Sequence, residues 1–168
     1  MSASFIIFNK ETGTPVSWGS ASAQDISLQA VKEEERLLVT SSFDVEVNKN
    51  VVYDDVKAIR QTLIDGGAQT SFGVVDTDLF ARTNLTGAAV AALIALQSGQ
   101  PYSVTWALKN NTSITLTAPE MLQFALEAVG YIDACFSRSF VLRDEINAAT
   151  NMAELLAIDI TAGWPGQT

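Results

Sequence analysis

Asp76-Thr77-Asp78 sets two carboxylates two residues apart. In sugar-nucleotide transferases that spacing holds a divalent ion, and an all-oxygen site for Mg2+ or Mn2+ is sound chemistry. The same residues also suit a helix start, where a side-chain oxygen accepts a free backbone N–H. No strand–helix alternation with a glycine-rich phosphate loop accompanies them, so the helix cap is the preferred reading. A second carboxylate chemistry is glycoside hydrolysis, which needs two acids held about 5–9 Å apart across a cleft. Glu120, Glu127, Asp133, Asp144, Glu145 and Glu154 are the candidates, each in a helical stretch at a spacing that suits a wet face. Asp144 and Glu145 beside Arg143 read as surface charge.

Histidine is absent. That excludes Ser-His-Asp and Cys-His nucleophile systems. One cysteine and no histidine cannot supply the N/S ligands of the usual zinc sites. The lone Cys135 also excludes an internal disulfide. It lies beside the apolar face of a long helix, where a free thiol acts as packing.

The remaining composition describes a chain with a core. Its 168 residues are 48% hydrophobic and 17% charged, and a chain of this length buries roughly 70% of its unfolded surface. Nineteen acidic against ten basic residues leave a net charge of −9. Phosphate backbones and anionic lipid are therefore poor partners. Lys32-Glu33-Glu34-Glu35-Arg36, the densest charge cluster, reads as a solvated turn. The start, from Met1 to Phe8, lacks a basic region and a long apolar run, so no signal peptide is read there. Residues 87–97 are the longest greasy stretch, short of the roughly 20 residues a membrane span needs.

These residues must be positioned by short elements. Phe5-Ile6-Ile7-Phe8 reads as a buried strand, Asn9 to Gly13 as a turn, and Pro15-Val16-Ser17-Trp18 as the return strand. Leu37-Leu38-Val39-Thr40 and the alternating Asp44-Val45-Glu46-Val47 are the next strands, with Asn48-Lys49-Asn50 turning into Val51-Val52-Tyr53. A meander this thin needs another surface to be stable. At Asp54 or Asp55 the period changes to a helix with Val56, Ile59, Leu63 and Ile64 on one face, ending at Gly66-Gly67. Ser71 to Val75 is a short strand. Asp76-Thr77-Asp78 starts a helix with Leu79, Leu85, Ala89, Leu93 and Leu96 as its buried stripe. The small midsection from Gly87 to Ala92 would admit a close neighbour, and Gly99 and Pro101 stop the helix. Residues 102–108 and 113–117 form a hairpin around Lys109-Asn110-Asn111-Thr112, with Trp106 on its core face. Thr117-Ala118-Pro119-Glu120 is a capping box. It opens the longest helix, to about Ala149, with Leu122, Leu126, Val129, Ile132, Phe136 and Phe140 on one face. Thr150 or Asn151 caps a short last helix from Met152 to Ile158.

From Lys57 to Asp159 the chain resembles the DUF4376 family, a domain of unknown function found in phage and prophage tail proteins. The likeness is carried by Val75-Asp76-Thr77-Asp78, Leu85-Thr86-Gly87-Ala88, Ser103-Val104-Thr105-Trp106, the hairpin return Asn110 to Thr117, Leu142-Arg143-Asp144-Glu145-Ile146-Asn147-Ala148-Ala149, and Ala153 to Asp159, in that order. Gly13, Asp25 to Ala30, and Val51, Tyr53, Asp54 and Asp55 are similar to the β-rich heads that precede the domain. Related long helices carry Cys-His where this chain has Cys135-Phe136, so no metal or acid–base role passes to that position. The resemblance implies a phage-tail setting and no activity.

The expected fold is α+β: a small antiparallel β-rich attachment part at 1–55, a mainly helical domain with a β-hairpin at 56–162, and a Trp/Pro/Gly tail at 163–168. The expected function is a globular adaptor or decoration of the tail-fibre or baseplate apparatus. It would work by contact, in the virion tail and, during assembly, in the host cytoplasm. A tail-fibre assembly chaperone is the alternative, and a carboxylate-based cell-wall glycosidase the second. Trp18, Trp164 and Pro165 are the candidate partner contacts; Trp164 could equally dock on its own chain. No catalytic residue, cofactor or metal is expected. Other tail proteins are the expected partners, with a homo-oligomer as a further option, and neither nucleic acid nor membrane insertion.

Overall fold

In the computed structural model the described residues are 2–29 and 31–167. Met1, Ala30 and Thr168, included above in the head and tail, lie outside them. The architecture is α+β, as expected. In chain order the elements are β1 (Ser2–Asn9), β2 (Pro15–Ser22), α1 (Ala23–Ser27), β3 (Glu35–Leu38), α2 (Val45–Asp65), β4 (Ala68–Thr70), β5 (Gly73–Val75), α3 (Leu79–Ser98), β6 (Ser103–Ala107), β7 (Ser113–Thr117), α4 (Ala118–Ala148) and α5 (Met152–Ala157). They divide into two compact units, Met1–Ala58 with Ser139–Ala162, and Ile59–Arg138 with Gly163–Thr168. The division differs from the linear one expected at 55/56, because each unit draws on distant stretches of chain.

In the first unit β1 is the centre of an antiparallel sheet ordered β2-β1-β3, with Ile6 opposite Trp18 and Ile7 opposite Leu37. Phe5 to Phe8 are all buried, which a strand with both faces covered requires. The turn from β1 to β2 is built on Asn9, whose Oδ1 accepts the N–H groups of Glu11 (3.0 Å) and Thr12 (2.9 Å). Gly13 follows at φ +68°, and a Cβ there would lie 2.5 Å from the backbone nitrogen of Ala153. The same unit buries Val52 and Val56 of α2, Leu142 and Ile146 of α4, and Leu155 of α5.

Residues 44–53, expected as strand, turn and strand, are instead a cap and the first turns of α2. Asp44 Oδ1 accepts the N–H of Glu46 at 2.7 Å and the Asn48 amide donates to the carbonyls of Ser42 and Asp44 (2.9 and 3.0 Å). Asn48, Val52 and Val56 recur every four residues and all three are buried. This helical spacing outweighs the two-residue alternation of Val45 and Val47, and Val47 faces out. Asp54 and Asp55 thus sit inside the helix rather than at its start. The strand expected at Leu37–Thr40 begins two residues earlier, at Glu35.

In the second unit Gly67 (φ +97°) ends α2, as expected, and leads into a β4–β5 hairpin that pairs Ala68 with Val75. The expected strand at 71–75 is the second arm of that hairpin. The β6–β7 hairpin has the expected register, Trp106 opposite Ile114, with Asn111 at φ +62° in its turn. Phe124 of α4 meets Phe72 and Trp106 edge-on, at 5.8 and 5.9 Å between ring centres. Leu85, Ala92, Leu116, Met121 and Ala128 complete this core.

Two helix faces differ from expectation. On α3, Leu85 and Ala92 are buried and Ala89 is half-buried, while Leu79, Leu93 and Leu96 are exposed. On α4, Met121, Phe124, Ala128, Cys135 and Leu142 are buried, whereas Leu126, Val129 and Phe140 are exposed and Leu122, Ile132 and Phe136 half-buried. Both helices carry apolar residues on more than one side, and the faces turned inward are those with alanine, which lets neighbouring elements approach closely.

Candidate functional site

Each residue of the Asp76-Thr77-Asp78 motif has a structural tie. The Asp76 carboxylate lies 3.5 Å from Lys109 Nζ, which donates to the Gly66 carbonyl at 2.6 Å. Thr77 is buried and its hydroxyl donates to the carbonyl of Ile64. Asp78 caps α3, accepting the N–H of Ala81 at 2.9 Å. Among the described residues no three Cys, Asp or Glu side chains converge on one point.

The helix-borne acids have similar ties. Glu120 accepts the N–H and hydroxyl of Thr117 (2.8 and 2.7 Å), which forms one arm of the expected capping box. Glu154 does the same for Thr150 (2.6 and 2.9 Å), and Asn151 caps α5. Glu127 holds the β4–β5 turn, accepting from Ser71 N–H at 2.6 Å and its hydroxyl at 2.8 Å. Hydrogen bonds to the ionised form hold all three carboxyls below the usual carboxylate range. A proton-donating acid needs the opposite shift. Asp55 does have a raised carboxyl: burial pushes it up, against the pull of the Arg36 guanidinium. Burial in turn lowers Arg36, while Asp55 and Asp159 favour its charge. Sequence reasoning missed this group because its members are distant in the chain and Asp55 was assigned to a cap.

Cys135 is buried, and burial raises its thiol; the Tyr131 hydroxyl hydrogen bond and the Arg60 charge pull the other way.

Among the described residues, two apolar surfaces stand out. In the first unit, Trp18 of β2 is 65% exposed and meets Phe43 edge-on at 6.0 Å. Phe43 itself packs on buried Phe8 at 6.5 Å. A shallow depression beside this pair is lined by Phe5, Gly19 and Thr40. In the second unit, a groove of about 270 Å³ runs between α3 and α4, with Leu85 and Ala125 in its lining and Val90, Leu93, Leu126 and Val129 exposed beside them. Of the three candidate contacts, Trp18 is open and Pro165 half-buried. Trp164 is 2% exposed, docked on its own chain, so it presents no contact face. Its backbone N–H donates to Gln167 Oε1 at 3.1 Å.

Residues 48–162, more than half of the chain, match the family model described as Domain of unknown function (DUF4376). The chain belongs to the DUF4376 family. The match begins inside α2, nine residues before Lys57, and ends beyond α5, so it contains the α3–α4 groove. The head that carries Trp18 and Phe43 lies outside it. No curated protein and no solved structure matches the chain.

Within this DUF4376 domain, α3 is long and apolar enough to cross a membrane. Counting residues 87–97 alone understated it, because the helix continues back through Leu79 with Arg82 its single charged residue. Here it lies against its own unit through Leu85 and Ala92, and the Tyr102 hydroxyl donates to the Ala88 carbonyl at 3.1 Å.

Proposed function

We propose that this DUF4376 protein is a structural part of a bacteriophage tail, a globular adaptor or decoration of the tail-fibre or baseplate apparatus that works by contact. The setting comes from the family resemblance. The observation that carries the contact role is the open Trp18–Phe43 edge on the head. Large aromatics held by a strand, as Trp18 is, or packed against one, as Phe43 is on Phe8, offer apolar area at low entropic cost, as interface anchors do. Trp18 is fixed by its place opposite Ile6, and Phe43 by Phe8 beneath it.

The test is quantitative mass spectrometry of purified virions. The expected result is this chain at a fixed ratio to the other tail proteins, with Trp18→Ala and Phe43→Ala lowering its occupancy. A chain captured on nascent fibre in infected cells, yet absent from finished particles, would instead make it an assembly chaperone. Release of muropeptides from peptidoglycan, lost in one Asp or Glu variant, would replace both with an enzyme.

A further inference from the structure

We propose that the α3–α4 face is the contact surface for a second copy of this chain, giving a twofold dimer. Leu79 (68%), Phe80 (81%), Val90 (52%), Ile94 (60%), Leu126 (71%) and Val129 (48%) are exposed on it. At 100° per residue the four α3 positions fall within one third of the helix circumference. Val90 borders the groove with α4's Leu126 and Val129. Together these residues expose roughly 700 Å², of the order of the ~800 Å² per partner that a stable dimer buries.

The shape of the face favours its own copy. It carries a recess, the groove over Leu85 and Ala125, and projecting side chains, Phe80 and Ile94. Gly87 lies between them in a stretch so open that a Cβ there would meet nothing within 4 Å. In a twofold dimer the recess of each copy would take the exposed side chains of the other. Two α3–α4 pairs packed this way make a four-helix layer.

Charge is thinned on this face relative to a chain that carries −9, where two copies meet best with few acids between them. No acid occurs in α3. On α4 Glu127 is turned to Ser71, and Asp133, exposed one turn beyond Val129, is the acid on the Leu126–Val129 line, while Asp78 caps α3 beside Leu79. An anionic lipid surface would instead face the whole excess charge, with Arg82 as the lone cation of α3. Insertion of α3 would also strip Leu85 and Ala92 from their core.

This inference does not rest on the tail reading; it concerns the domain alone. The test is light scattering with size exclusion on the full chain at roughly 10 µM, where a dimer of micromolar or tighter affinity is populated. The expected result is the dimer mass. Ile94→Glu and Leu126→Glu, both at exposed positions, are each expected to weaken association at least tenfold while circular dichroism and cooperative melting stay those of the parent. Leu28→Glu, exposed in the other unit, is expected to leave the dimer intact. A parent that is monomeric at this concentration, a dimer that survives both variants, or a monomer that floats with anionic vesicles would each overturn the proposal.

Discussion

Glu120, Glu127 and Glu154 each accept hydrogen bonds that exist only in the folded chain. Their folded pKa values lie below the ordinary 4.5. Each therefore stabilises the fold fully above pH ~4.5, and that contribution is lost as pH falls through the lowered folded value. The thermal midpoint is expected to hold from pH 7 to 5 and to fall below that. Glu127→Gln should lower it at pH 7 and converge on the parent as the pH falls through the lowered folded value; a constant gap in melts from neutral to acid would contradict the assignment. At Gly13 the backbone is left-handed, and an added Cβ meets the α5 backbone and Met152. Gly13→Ala is expected to cost at least about 1–2 kcal/mol, from the conformation alone, measured by urea unfolding.

The helices divide into parts that local chemistry specifies and parts that only packing does. Asp78→Ala should cost about 0.5–2 kcal/mol by removing the α3 cap, and Leu85→Ala about 2–5 kcal/mol by opening a cavity. Leu96→Ala, on the same line as Leu85 but half exposed near the end of the helix, should cost less, about 1 kcal/mol or under. Denaturant unfolding of the three variants would check that order. The features found correctly from the chain were the local ones. Asp78, the Thr117–Glu120 pair, Asn151, Gly99 and Asn111 each depend on neighbours a few residues away. What was missed depends on distant partners. Leu126 and Val129 look more core-like than Ala125 and Ala128, but the elements above α4 select the alanines. Val45 and Val47 alternate over too few residues to reveal that Asn48 is buried with Val52. Of the candidate site, Trp18 was identified from the chain, whereas Phe43 and the α3–α4 groove became visible only when burial was known.

At the scale of the whole molecule, each unit combines separated segments, the first taking residues 139–162 to complete the core begun by 1–58. A fragment of 56–162 should therefore leave Leu142, Ile146 and Leu155 without their partners. It is expected to be cut rapidly in its last 25 or so residues under limited proteolysis, whereas the full chain resists; equal resistance would show that residues 56–162 stand alone. The buried thiol of Cys135 offers a final use. A sulfhydryl reagent can reach it only during moments when α4 lifts from its neighbours, so the speed of modification at fixed reagent excess counts those openings directly. Native wild-type protein thus carries its own breathing clock, with no engineered label, and association through the nearby helices should make that clock run slower as the protein is concentrated.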